Sequence, residues 1–343
     1  MKTLTRQAFH QFCAALAQVH GAPDVTEQFA IEPSLEQRLQ DAIVEQSTFL
    51  PQINVVTVDE MEGQNILGSA SGPVSGRTDT SVDGVERVPR NVLGLKAYNY
   101  KLAQTNSDVY LPYNTMDVWA RFGDLGARYT RYVQGRIAND REIVGWYGLS
   151  VAATTDLAAN PLLQDVNKGW LQYMRENLPA NILTEGGTAG EIVLGDGGDY
   201  ANLDLAVNDL LQGIPTYLRK NLTVLVGSEL VARETALLLT AVQGKPTEKN
   251  AMNTAMATLG GLPWQTPSNY PARGLAVTPL KNLSVYVQTN TWRRNLKDKP
   301  EKNRVEDYNS RNEGYVVECP EAFVGWEFDN VKFSDEAAEP TGE

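Results

Sequence analysis

The sequence predicts an α+β fold, and three observations carry that reading. Apolar residues recur every three or four positions through several segments, the longest being residues 115–147. Apolar or alternating runs, such as LTVLVG at 222–227, mark strands between those helices. With 42% hydrophobic and 21% charged residues the chain can bury a sizeable core, and its 343 residues exceed one core of typical size, so two lobes or more are expected.

Residues 3–20 place Leu4, Ala8, Phe9, Phe12, Leu16 and Val19 at helical spacing before Gly21, Ala22, Pro23 and Asp24 break the pattern. A second helix starts at Pro33 and runs to about residue 50, where Pro51 stops it. Two short helices joined by a polar linker make an arm that must lie on something else; a plain helical hairpin is the simpler alternative.

Residues 53–58 read as a strand. The next stretch, 63–90, has five glycines and many Ser and Thr, too little apolar surface for a core of its own, and reads as a long extended loop. Tyr98, Tyr100 and Leu102 then alternate with Asn99 and Lys101, a half-buried strand. Loop and flanks predict a projecting β-hairpin, with a loose insertion as the alternative.

Residues 115–147 follow, 33 positions without proline. Met116, Trp119, Phe122, Gly126, Tyr129, Val133 and Ile137 share one face of a helix that would run about 50 Å. Its other faces carry Arg121, Asp124, Arg128, Arg131, Arg136, Asp140, Arg141 and Glu142, mixed signs suited to salt-bridged or interfacial packing rather than lipid. An ordinary core helix fits the same pattern.

A small-residue connector at 152–160 leads to a helix over 160–179 with Leu162, Val166, Trp170 and Tyr173 on one side. The glycine-rich GDGGDY lacks phosphate-loop spacing, and Asp196, Asp199 and Asp204 do not fit a calcium loop, so a turn followed by a helix cap is expected there. A helix over 203–218 with Pro215 as a kink or end, the strand 222–227, a helix after it and a polar helix at 247–259 make an α+β lobe. Pro263, Pro267 and Pro271 mark irregular chain before strands at 276–279 and 283–289. Residues 292–304 hold six basic residues against Asp298 and Glu301 in a chain of net charge −12. This patch reads as a salt-bridging loop, with nucleic-acid binding as the alternative. Strands at GYVVECP and AFVGWEFDNVKF and a mobile acidic tail close the chain.

The overall negative charge opposes a surface that grips nucleic acid all round. Cys13 and Cys319, the only cysteines, allow no disulfide framework and suit a reducing compartment. No apolar run reaches the roughly 18–20 residues needed to span a bilayer, and no signal peptide is expected. His10 and His20, the only histidines, lie on the N-terminal arm, and no GxSxG, HExxH or CxxC motif occurs. Neither a catalytic centre nor a cofactor or metal is expected. The adjacent Glu306 and Asp307 read as a solvated strand edge, with a carboxylate-dependent hydrolase as the residual alternative.

Arm, glycine-rich hairpin, very long helix, α+β lobe and returning strands, in that order, resemble the HK97-like major capsid fold of tailed phages. More closely, the chain resembles the P2-type phage major capsid protein family. The stretches that carry the likeness are FAIEPSLEQRLQDAIVEQSTFLPQINVVTVDEMEGQNI, NTMDVWARF, NPLLQDVNKGWLQ, GDGGDYANLD and NRVEDYNSRNEGYVVE, spread from Phe29 to about Glu318.

The resemblance implies a virion shell subunit, present in the host cytoplasm before assembly, that forms hexamers and pentamers of an icosahedral head around double-stranded DNA. Its implied partners are further copies of itself, a scaffolding protein, a maturation protease and a portal protein; a decoration or tail protein is the alternative. The implied division is an N-terminal arm at 1–52, an E-loop hairpin at 53–111, a peripheral domain at 112–180 carrying the spine helix, an axial domain at 181–280, peripheral return strands at 281–333 and a tail at 334–343. Removal of 1–30 on maturation would place the cut at Phe29, Ala30 and Ile31, in what reads as an exposed linker. Arg77, Arg87 and Arg90 of the hairpin, Arg121, Arg128 and Arg131 of the spine, and Arg293, Arg294 and Lys297 of the basic patch are the expected inter-subunit contacts. Some capsids of this fold weld subunits through Lys–Asn isopeptide bonds, but residues 63–90 contain no lysine, so packing, strand addition and ion pairs are expected to hold this shell.

Overall fold

The computed structural model of the chain describes residues 1–70, 75–79, 81, 83–84, 86–89, 93–242 and 257–337. In chain order, helix α1 (Thr3–His20), strand β1 (Phe29–Ala30) and helix α2 (Pro33–Val44) form the N-terminal part. Strands β2 (Asn54–Val58), β3 (Glu62–Ala70), β4 (Leu93–Lys101), β5 (Ala103–Asn106) and β6 (Val109–Pro112) follow. Helices α3 (Tyr113–Trp119), α4 (Leu125–Tyr147) and α5 (Trp170–Asn177) come next, then β7 (Ile182–Leu183) and β8 (Ile192–Leu194). Helix α6 (Leu203–Gln212), strand β9 (Leu222–Val226) and helix α7 (Ser228–Val242) lead to β10 (Trp264–Gln265), β11 (Leu275–Pro279), β12 (Leu283–Gln288), β13 (Arg293–Lys299), β14 (Arg304–Val317), β15 (Val324–Trp326) and β16 (Val331–Phe333).

The fourteen-residue β14 is the axis of a seven-stranded sheet. Ser310 pairs with Arg293 of β13 and with Asn106 of β5, and Glu313 pairs with Val287 of β12 and with Ala103 of β5. Strands β12 and β13 therefore run in succession along one edge of β14, with β5 and β6 along the other. Parallel β2 and antiparallel β1 complete the outside. The alternation of a strand sorts the residues: Trp292, Arg294 and Leu296 are buried, while Arg293 and Lys297 are exposed.

The buried face meets α4 through Tyr129, Val133 and Ile137. The single rod expected over 115–147 is interrupted, however. Helix α3 ends in a 3-10 turn, Gly123 takes φ +73, and α4 restarts at Leu125 for 23 residues, about 35 Å. The left-handed residue resets the helical phase, so Phe122 is not on the buried stripe with Tyr129; it is 64% exposed, and Trp119 is half-buried. Nor are all the charges of α4 outside. Arg141 and Glu142 are buried, because the stripe through Val133 and Ile137 continues onto Arg141.

The helix expected over 160–179 is confined to α5, preceded by turns in which Leu163 has φ +58. Trp170 of α5 packs against Gly145 of α4 so closely that a Cβ there would overlap its ring. The helix expected over 203–218 stops at Gln212, with a separate 3-10 turn after Pro215.

A second, five-stranded sheet runs β10–β9–β11–β15–β7. Its core gathers Val207 and Leu210 of α6, Val224 and Val226 of β9, Leu275, Val324 and Trp326. In the glycine-rich turn the Asp199 carboxylate accepts from the Gly187 and Val193 amides at 2.6 and 2.7 Å, and the Asn202 side chain caps α6 by accepting from the Leu205 amide, the turn-and-cap role expected. The polar helix expected at 247–259 lies almost wholly outside the described residues. So do the tail residues 338–343, but the tail's start is a helical turn, Ser334–Ala337, in which Asp335 pairs with Arg233 and Glu336 with Arg273. That part is pinned rather than mobile.

Strands β3 and β4 form an antiparallel pair running from Glu62 opposite Lys101 to Ala70 opposite Leu93. Residues Glu62–Lys101 are a compact unit of their own, and Met1–Met61 with Leu102–Glu343 are another. The segment expected as a hairpin, 53–111, thus contributes its middle to this unit, while β2, β5 and β6 at its ends belong to the seven-stranded sheet.

Candidate assembly surfaces

The N-terminal helix folds onto its own chain. Phe9 and Phe12 of α1 meet Met116, Leu125, Tyr129, Leu296 and Val305, and the Phe12 and Tyr129 rings are 5.7 Å apart edge to face. The chain from Val25 to Ile31 then follows the free edge of β13. The Leu296 amide donates to the Val25 carbonyl, Phe29 pairs with Arg294, Ala30 pairs with Arg293, and the Ile31 amide donates to the Trp292 carbonyl. Val25 and Ile31 are buried. The stretch expected to be an exposed linker is therefore an edge strand, ordered because its apolar residues reach the core while its backbone completes the ladder.

The expected contact arginines separate into exposed and buried ones. Arg77 and Arg87 are exposed in the connection of the hairpin, and Arg90 lies outside the described residues. Arg121 and Arg131 are exposed, as is Arg128, which pairs with Asp124 one turn earlier at 2.7 Å and lies over the Phe122 ring. Arg293 and Lys297 face outward beside Tyr308 and Ser310, along an open polar groove of about 310 Å³ on the uncovered face of the sheet.

Arg294 is different: its guanidinium donates twice to the Asp307 carboxylate, at 3.0 and 2.7 Å, inside the sheet–helix interface. Tyr129 donates to the same carboxylate at 2.7 Å, and burial followed by Asp307 pushes its hydroxyl far above the ordinary range. Burial works against the Arg294 charge, but Asp307 outweighs it and holds the guanidinium protonated. Arg294 is thus spent within its own chain and is removed as a contact between subunits. The basic stretch 292–304 is a strand and turn rather than a loop, and Glu306 and Asp307 lie in the middle of the sheet rather than on a solvated edge.

Among the described residues no group of three or more His, Cys, Asp or Glu could hold a metal ion, and no helix is long and apolar enough to cross a membrane. What the molecule presents instead is a two-layer body, a hairpin unit and outward-facing cations. A family model described as phage major capsid protein, P2 family, matches residues 8–327. The chain belongs to the P2 family of phage major capsid proteins.

Relatives agree along nearly the whole length. The capsid protein of Escherichia phage P2 is 36% identical over 331 residues, 93% of this chain and 92% of that one. The major capsid protein of Serratia phage KSP20 is 30% identical over 349 residues, 98% and 97% of the two chains. A chain of the satellite phage P4 procapsid that includes the size determination (Sid) protein superposes with TM-score 0.75 at 33% identity, covering 97% of this chain and 99% of that one. The fold is the HK97-like capsid fold, and the capsid subunit is a structural component of the virion shell, not an enzyme. It assembles with copies of itself.

Two features escaped the sequence reading. One is the buried Arg141–Glu313–Arg311 network, whose members are distant in the chain or lie on one strand and look like surface charges. The other is the connector after α4, whose near-absence of charge was visible but whose outward exposure was not.

Proposed function

We propose that this capsid subunit builds hexamers and pentamers of an icosahedral head that encloses double-stranded DNA without sequence specificity, from a pool in the host cytoplasm. The observation that carries the reading is the hairpin Glu62–Lys101, a compact unit apart from the main core. A two-stranded ribbon is marginal by itself in water, so a neighbouring subunit is its natural support. In this reading the hairpin is the E-loop. Residues 112–180 and 281–333 make the peripheral domain, with α4 as its spine, and residues 181–280 make the axial domain.

The exposed Arg77, Arg87, Arg121, Arg128, Arg131, Arg293 and Lys297 serve contacts between subunits, each individually modest and effective in number; Arg90 has the same assignment from the sequence alone. A scaffolding protein, a maturation protease and a portal protein complete the assembly. The protease cuts at Phe29, Ala30 and Ile31, which requires the edge strand β1 to leave β13 first, since a protease binds its substrate as an extended, unpaired chain.

Deleting residues 63–90 tests the reading. The expected product is a soluble, folded subunit that forms no closed shells by negative-stain microscopy and sedimentation. Closed shells of normal size from the deletion would overturn the role given to the hairpin.

A further inference from the structure

The segment that joins α4 to α5 is built in an unusual way. Between Glu142 and Asp165 the only charged residue is Asp156, in a chain with 72 charged side chains, 30 basic and 42 acidic. Residues 149–159 are exposed throughout, and Leu149, Val151, Leu157 and Leu162 are 46, 52, 67 and 38% accessible. Single exposed apolar side chains are ordinary, but this many in one short irregular segment mark a contact surface.

The segment is held in place by its own polar groups. The Leu149 and Ser150 amides donate to the Gln164 carbonyl at 2.7 and 3.0 Å, and the Ala152 amide donates to the Asp165 carbonyl at 2.9 Å. The buried Asp165 carboxylate accepts from the Asp156 amide at 2.7 Å and from the Asn160 side chain at 3.1 Å. Asp156, the one charge, accepts from the Ala158 and Ala159 amides at 2.9 and 3.3 Å. Leu163 closes the segment at φ +58, a conformation that costs a leucine about 1–2 kcal/mol and is retained where the surrounding structure enforces it. Asn160, Gln164 and Asp165 turned inward, with Leu149, Val151 and Leu157 exposed and local strain at Leu163, describe a preorganised and largely apolar contact.

The chemistry of the occupant follows from what the segment lacks. It has no cation for a phosphate backbone, and its single charge, the exposed Asp156, is held by the Ala158 and Ala159 amides. Two copies of a chain with net charge −12 repel over most of their surfaces, so identical patches meet most easily where charge is sparsest. We propose that residues 149–162 form a homotypic contact, in which this segment meets the same segment of a second copy of the chain about a symmetry axis of the shell. The inference rests on the shell assembly of the family and adds the surface and the partner.

The test introduces a thiol at the centre of the contact. In a background with Cys13→Ser and Cys319→Ser, assembled shells of Leu157→Cys are expected to give disulfide-linked dimers on oxidation, and unassembled subunits none. Independently, Leu157→Asp in the parent chain places like charges face to face. It is expected to lower shell yield by at least about tenfold while leaving the melting temperature of the unassembled subunit unchanged, because the side chain is exposed there. Leu157→Cys shells that yield no dimers, or Leu157→Asp shells at parental yield, overturn the contact. The parent chain assembled in parallel under the same conditions separates the failures: where it forms shells, either of those results counts against this contact alone and leaves the shell reading intact.

Discussion

Arg141 of α4 donates through Nε to the Glu313 carboxylate of β14 at 3.0 Å, with both side chains withdrawn from water. Arg311 grips the same carboxylate at 2.8 and 3.1 Å and reaches Ser107 with its remaining arm, while its guanidinium lies over the Trp292 ring. One carboxylate thus anchors two guanidinium groups where the central helix crosses the central strand. Burial alone would raise the Glu313 pKa, but Arg311 and then Arg141 outweigh it and hold the carboxyl below its ordinary range. Arg141 pays for its position: burial pulls its pKa down, and its two terminal nitrogens have no hydrogen-bond partner.

This asymmetry sets the first expectation. Glu313→Gln takes from two buried cations the carboxylate they share and is expected to cost about 3–5 kcal/mol of subunit stability. Arg141→Met removes a poorly satisfied cation and leaves Glu313 with Arg311, so it is expected to cost less than half as much. Because the folded Glu313 pKa is depressed, its contribution is full above about pH 4.3 and lost as the pH falls through the folded value. Urea titration of the unassembled subunits measures both; equal losses would refute the account.

How legible was this arrangement? The period of Tyr129, Val133 and Ile137 marked the sheet-facing stripe of α4 because large apolar residues at helical spacing have few other uses. The break before it was not legible, since glycines are tolerated inside helices and only φ at Gly123 distinguishes a terminator from a passenger. The alternation of Trp292, Arg294 and Leu296 against Arg293 and Lys297 was present in the sequence, but a run of charges concealed it. Only the pairing with β14 brings Asp307 to Arg294. Likewise the edge strand at Phe29 and Ala30 is too short to have a pattern and exists because β13 offers it a ladder. Local periodicity was readable; ion pairing across elements depends on register, which one sequence does not display.

Two glycines only twelve residues apart are expected to respond oppositely to alanine. Gly123 has open space around its α-carbon but a φ of +73, so Gly123→Ala is expected to destabilise by about 1 kcal/mol through backbone strain alone. Gly135 lies within α4, also with open space, and Gly135→Ala is expected to stabilise by up to about 1 kcal/mol through helix propensity. Thermal unfolding of the two subunits compares them directly, and shifts of the same sign would contradict the reading.

Gly145→Ala should behave like neither. Its propensity gain is the same, but the added methyl enters the Trp170 ring, which is fully buried among Phe49, Trp146 and Tyr315 and donates to the Ser284 carbonyl at 2.9 Å. Overpacking of such a site costs about 1–3 kcal/mol and is expected to dominate. A lowered melting temperature with altered tryptophan fluorescence is the expected signature; an unchanged one would mean that the ring has room to move.

The last expectation concerns the seating of α1. His20 ends that helix with its ring 5.4 Å from Phe29, largely buried and with Nδ1 unpartnered. Burial, and then Arg294 on β13, hold the imidazole below its ordinary pKa. A detached segment therefore takes up a proton before the seated one does, so the seating energy is full above about pH 6.5 and declines as the pH falls toward the folded value. The nearby acids do not reverse the sign: Asp24 is exposed and engaged by Thr26, and Asp307 is ion-paired with Arg294. Hydrogen exchange, corrected for its intrinsic pH dependence, is expected to show residues 3–20 losing protection between about pH 7.5 and 5.5 while α6 keeps its own. His20→Phe keeps the aromatic contact without the titration and should abolish that difference. Equal loss in the variant would assign the pH response to other groups and leave His20 a packing residue.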